Sequence, residues 1–421
     1  TVTVGTGTDA AGNVVTSTPT SGATFTVDNT VPTLSSVSIA SNNSTTTLAK
    51  VSNVVTLTFT ASETIATPVV TFQSGGAAIT DTSITYASSG NVWTAAYTAN
   101  ASDTDGSVTY SIAFSDSAGN AGTAVTSGSG SVTFDKTVPT QTVSGVDISH
   151  DTGTSDSDFL TKTAAQTISG TLSATLAASD ILNGSVNNGS DWTDITSKVS
   201  GTGITWNGAT LSGSSNILFK ITDAAGNDSN TTGSQAYVLD TTAPTASVTT
   251  AAITNSSNAV VKSTETGTAY LVNTAVTVSN LASITGAADS QWNSVAISSA
   301  NTNTNLAATG LVDGTYKVYA VDAAGNLSSV STNSVTLDTT APTAPSVSGT
   351  TPTIDTTPTW SWSTGGGGNG TYRYKLNSSD LTSGATQTTS TSYTPGSGIS
   401  EGSYTLFVQE RDAAGNWSSS G

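Results

Sequence analysis

The chain has 421 residues, too many for one ordinary hydrophobic core, so several domains of roughly 100 to 150 residues are expected. Thr, Ser, Gly, Ala, Asn and Val dominate and only 9% of residues are charged, a composition of strands and tight turns that excludes both a helical protein and a charge-rich disordered one. The formal net charge of −18 sets 28 acidic residues against ten Lys and Arg, which excludes a basic patch for nucleic acid and suits divalent cations.

Cysteine is absent, so disulfides and thiolate chemistry are excluded and stability rests on core packing, strand ladders and any bound metal. Methionine is absent too, and no apolar run is long enough for a signal or membrane segment. The chain therefore reads as a processed or excised part of something longer, with no membrane insertion within it. Few Lys and Arg also leave trypsin-like proteases little to cut, which fits an extracellular setting.

Two markers alternate along the chain. The string "DAAGN" starts at Asp9, a near copy "DSAGN" at Asp116, and "DAAGN" again at Asp223, Asp322 and Asp412. Between them stand "DNTVPT" at Asp28, "DKTVPT" at Asp135 and "DTTAPT" at Asp240 and Asp338. Successive AGN strings are 107, 107, 99 and 90 residues apart, and each linker follows its AGN Asp by 19, 19, 17 and 16. Two markers in fixed order define a tandem array.

The elements follow in chain order. Residues 1–27 carry the last two strands of a preceding repeat, with Phe25 and Val27 inward. In repeat 28–134 Tyr110, Ile112 and Phe114 alternate before Asp116, and Val132 and Phe134 before Asp135. Repeat 135–239 has Ile217, Phe219 and Ile221, then Tyr237 and Leu239; repeat 240–337 has Tyr316, Val318 and Ala320, then Val335 and Leu337. Segment 338–421 has Leu406 and Val408 with Glu410 in the third place, and ends nine residues after Asp412, before a last strand. Apolar residues at period two with a polar opposite face predict half-buried strands. About 100 residues of short strands with a Pro-marked boundary predict an all-β fold, one antiparallel β-sandwich per repeat.

The pairing of "D-x-T-x-P-T" linkers with a terminal "D-x-A-G-N" turn resembles the bacterial immunoglobulin-like repeats of very large surface proteins and adhesins. The segments "ISHDTGTSDSDFLTKTAAQTISGTL" at 148–172 and "YVLDTTAPT" at 237–245 share the resemblance, which covers nearly the whole chain. It implies tandem immunoglobulin-like sandwiches in an elongated array at an extracellular bacterial cell surface.

In a seven-strand sandwich the last two strands join at the pole where the chain enters. That places Asp116 beside Asp28, Asp223 beside Asp135, Asp322 beside Asp240 and Asp412 beside Asp338. Two carboxylates with backbone and Asn carbonyls are hard oxygen ligands suited to Ca²⁺. A purely structural reading stands ahead of it: Asp accepts hydrogen bonds from its own turn, Gly supplies positive φ and Asn caps it. A denser acidic cluster, Asp147, Asp151, Asp156 and Asp158, suits one cation or a solvated Asx-turn loop. The single His150 beside it has no partner for a transition metal and is expected on the surface.

No nucleophile elbow accompanies His150, Glu is rare, and a residue repeated in every module is structural before it is catalytic, so no enzyme is expected. Trp360 and Trp362 share a strand face before a mobile "GGGGNG" loop at 365–370, a pattern of core packing or of sugar stacking. Lys220 lies on the polar face of its strand and gives no sign of a covalent cross-link. The expected function is a stiff stalk, fibre or sheath segment with modules of roughly 40 Å, four spanning on the order of 160 Å. The alternative is an adhesin module that binds carbohydrate or protein through loops of the last repeat. Expected partners are neighbouring repeats of a longer chain or other copies of this one, an unfinished last sandwich being a template for a strand from the next molecule.

Overall fold

The computed structural model describes Thr8, residues 10–12 and residues 26–421. The strands expected within residues 1–27 lie mostly outside the described residues. Val27 lies inside them and is exposed, so it does not pack inward as the alternation predicts.

Alternation sends every second side chain of a strand to one face, and two such faces stacked about 10 Å apart make a sandwich. In the first module Val54–Ala61 buries Val55, Leu57, Phe59 and Ala61, while Gly106–Ala113 opposes them with Val108, Tyr110 and Ile112. One sheet orders Leu34–Ser41, Val54–Ala61, Val92–Thr98 and Thr85–Ser89. The other orders Leu48–Ala49, Thr133–Phe134, Gly106–Ala113, Val69–Ser74 and Ala77–Ala78. The opening stretch thus crosses from one sheet to the other, where Leu48–Ala49 pairs in parallel with the last strand. That ladder runs one residue further, because the N–H of Asp135 donates to the carbonyl of Ala49 (2.9 Å). The last strand thereby delivers the linker Asp to a defined place.

The second and third modules repeat the device. Leu160–Thr161 pairs in parallel with Thr232–Leu239, and Ala251–Ile253 with Val335–Leu337. Asp240 and Asp338 donate to the carbonyls of Thr161 (2.8 Å) and Ile253 (3.0 Å). Buried clusters around Phe59 and Phe134, around Phe219 and Tyr237, and around Tyr316 and Val335 each draw on a single module. The inward residues named from the sequence in the modules from Asp28 onward are buried, with Leu239 packed at the margin of its cluster. The third module also holds a short helix, Leu281–Thr285, capped by Asn280.

In the fourth module Ser346–Gly349, Trp360–Ser363 and Ser392–Tyr393 face Thr386–Thr388, Thr371–Leu376 and Leu406–Arg411. Where the other modules seat their last strand, a groove of about 1220 Å³ passes Val347, Ile354, Trp360 and Leu406. Glu410, in the place of an inward apolar residue, is buried to 1% exposure. It accepts from Thr364 Oγ1 (2.7 Å) and Gly370 N (3.3 Å), and Asn369 N donates to the carbonyl of Arg411 (2.8 Å). The glycine run folds back as a cap on a buried carboxylate. A Cβ on Gly368 would stand 2.1 Å from the Glu410 carboxyl carbon, so the sequence needs glycine there.

Candidate functional site

The recurrent site is the entry pole of each module, where the AGN turn meets the linker. Asp116 gathers its own turn: Oδ1 accepts from the N–H groups of Ala118 (2.9 Å), Gly119 (2.7 Å) and Asn120 (2.8 Å), and Oδ2 from Asn120 Nδ2 (2.7 Å). Gly119 has φ of +100°, a left-handed conformation that glycine adopts without strain. The second proton of the Asn120 amide goes to the backbone carbonyl of Asp28 (3.0 Å), 92 residues earlier.

The other three poles reproduce this bridge. Asn227 Nδ2 joins Asp223 Oδ2 to the carbonyl of Asp135 (both 3.0 Å), and Asn326 Nδ2 joins Asp322 Oδ2 (2.8 Å) to that of Asp240 (2.9 Å). Asn416 Nδ2 does so between Asp412 Oδ2 (2.8 Å) and Asp338 (2.9 Å). Each linker Asp closes an Asx turn on the Thr two residues on: Asp28 on Thr30, Asp135 on Thr137, Asp240 on Thr242 and Asp338 on Thr340. All four Asp pairs foreseen from the repeat therefore meet, but the Asn amide is what ties them.

Two poles differ from the rest by a third carboxylate that the sequence reading missed. Glu63 joins Asp28 and Asp116, and Glu265 joins Asp240 and Asp322, each set having carboxylate oxygens within 4.8 Å of one another. Both Glu residues stand two positions after the last paired residue of the strand that pairs with the module's opening one, Ala61 of Val54–Ala61 or Ser263 of Asn258–Ser263. That place is Ala174 in the second module and Gly365 in the fourth, so Asp135 with Asp223 and Asp338 with Asp412 remain pairs. Glu63 is pushed above the usual carboxylate range by burial and by the charges of Asp28 and Asp116. Burial, Asp240 and Asp322 do the same to Glu265. Asp116 is held below that range, chiefly by the Asn120 amide. The only ion pair among the described residues, Lys220 with Asp228 (2.8 Å), is elsewhere, so the triads carry negative charge without a basic partner. Their donors, clustered hard oxygens, fit Ca²⁺.

The loop of Asp151, Asp156 and Asp158 is arranged differently. Asp151 Oδ2 accepts from Phe159 N (2.8 Å) and Asp158 Oδ1 from Leu160 N (3.0 Å), so these carboxylates shape the loop. Asp151 is raised by burial and then by Asp158, Asp147 and Asp156, yet the set does not converge within 4.8 Å as the two triads do. His150 is exposed.

On the fourth module Trp362 is buried against Tyr372 and Tyr374 (ring centroids 5.9 and 5.7 Å), and Trp360 stacks on Tyr393 (6.0 Å, 23°). Both indoles serve the aromatic core. Trp417 lies under the guanidinium of Arg373 (4.3 Å) and near that of Arg411 (5.9 Å).

Residues 202–309 match the model of the bacterial Ig-like domain (group 3), a span running from the second module into the third. No curated protein matches the chain. Among solved structures, the chain is similar to an I-band fragment of titin (11% identity, 73% of this chain, 98% of that one, TM-score 0.31). It is similar also to an ICAM-5 ectodomain fragment (9% identity, 90% of this chain, 96% of that one, TM-score 0.28). No helix among the described residues is long and apolar enough to cross a membrane.

Proposed function

We propose that this tandem array of bacterial immunoglobulin-like repeats is a structural spacer, a segment of an extracellular stalk, fibre or sheath of a bacterial surface protein, and not an enzyme. The observation that supports it most is the fourfold recurrence of one pole, in which an AGN turn is bonded to the linker that opens its own module. Chemistry repeated at every pole serves the connection between modules. A linker held by its carbonyl, by its Asx turn and, from Asp135 onward, by the last strand of the module before is fixed at its Asp, so the freedom of each junction rests on the residues around that anchor.

Ca²⁺ belongs to this reading at two poles. Asp28, Glu63 and Asp116 would hold one ion and Asp240, Glu265 and Asp322 another, the ion supplying the positive charge that the triads lack. Calorimetric titration of the chain with CaCl₂ should then give two sites, with Glu63→Gln and Glu265→Gln each removing one. Absence of binding heat at millimolar Ca²⁺ would remove the ion from this reading and leave the spacer itself standing.

The groove that Leu406 and Phe407 line with residues 347–356 favours a second role, receipt of a β-strand with alternate apolar residues like those that close the first three modules. Its donor is a neighbouring repeat or another copy. Light scattering that shows a monomer at every concentration removes the second copy as donor.

A further inference from the structure

The Ala and Gly carbonyl groups of the AGN turns at Asp223 and Asp322 are used by the module before. A turn whose N–H groups converge on its own Asp leaves its Ala and Gly carbonyls pointing outward, acceptors suited to an ammonium group. Lys50, the residue after the one whose carbonyl receives the Asp135 N–H, reaches from the far pole of the first module and donates to the carbonyl of Gly226 (2.5 Å). Asn43 beside it donates to that of Ala225 (2.9 Å). One module on, Lys162 stands at the same place and donates to Gly325 (2.5 Å), while Thr152 Oγ1 donates to Ala324 (2.7 Å). Packing agrees independently: Ala225 and Ala324 are 2% and 1% exposed, whereas Ala118 in the first module is exposed. Gly153, at φ of +105°, lies so close that a Cβ would stand 2.0 Å from the Ala323 carbonyl oxygen.

The third junction is built otherwise. Thr254 occupies the lysine's place, following Ile253, whose carbonyl receives the Asp338 N–H. Among the described residues, no hydrogen bond joins the third module to the carbonyls of Ala413, Ala414 or Gly415; Arg411 of the same turn approaches the last (3.4 Å). Ala414 is only half-buried. Asp313 holds Thr339 and Thr340 to the third module, and Thr343 N donates to Gly366 of the fourth (3.0 Å), which leaves Ala341 and Pro342 between the two anchors.

We propose that the outward carbonyls of the AGN turn form a lysine socket that sets the pose of successive modules, so that the first three modules move as one segment and the chain bends between the third and the fourth. The socket works without any ion, so its failure and the failure of the Ca²⁺ reading are separate outcomes. Because the chain has no Cys, spin labels can be placed by cysteine substitution at exposed sites on adjoining modules, and inter-label distances measured in EDTA by pulsed electron resonance. The distribution across the third junction should be about twofold broader than across the first two, free module motion being the default where no interface holds it. Lys50→Gln should broaden the first junction alone and Lys162→Gln the second alone. Equal widths at all three junctions of the unsubstituted chain, or unchanged widths in both variants, would overturn the proposal.

Discussion

Asn227, like its counterpart at each pole, puts one side chain to two uses, since its amide binds both the turn carboxylate and a carbonyl 92 residues away. Asn227→Ala leaves both acceptors short of a donor, which should cost the second module about 1 to 2 kcal/mol in urea unfolding. The triad residues predict a pH dependence of opposite signs. Glu63 is raised in the folded chain, so its contribution is favourable below the unfolded pKa and lost as pH rises through the folded one. Asp116 is lowered, so its contribution is present above the unfolded pKa and lost as pH falls through the folded one. In EDTA, Glu63→Gln should therefore melt above the parent near neutral pH, with the difference vanishing on acidification; a variant that melts lower near neutral pH would contradict the triad's repulsion. The turn Asp and linker Asp of each site were legible as recurring letters. Glu63 and Glu265 were not, because they occur in two modules only and sit two residues beyond a strand end that period-two reading does not locate.

Strand alternation carried most of the fold, since the residues two, four and six before Asp116, Asp223, Asp322 and Asp412 are the inward ones. What alternation cannot show is a polar residue made tolerable by its surroundings. Glu410 takes an inward place because Thr364 and Gly370 satisfy it, contacts that exist only once the glycine run folds back. Nor does alternation show the hydroxyl of Tyr316, which donates from the start of Gly314–Asp322 to the carbonyl of Val312 (2.7 Å), a corner tying strand to loop. Tyr316→Phe should destabilise the third module by about 1 kcal/mol. Phe219→Ala, which empties a site packed edge-on against Trp206 (6.4 Å), should cost the second about 3 to 5 kcal/mol. Denaturant melts of the whole chain with a fluorescent reporter in each module would show whether each loss stays in its own module, as separate cores require.

At the scale of the whole molecule, four sandwiches joined pole to pole and carrying a net charge of −18 repel any folding back onto one another. Extension is the property on which a spacer depends, and small-angle X-ray scattering of the whole chain measures it most directly. Modules of roughly 40 Å in line give about 160 Å end to end and a radius of gyration of about 45 Å, against about 22 Å for one compact body of this length. A value near the larger figure is the result the spacer predicts. A value near the smaller one, with the modules packed side by side, would contradict it.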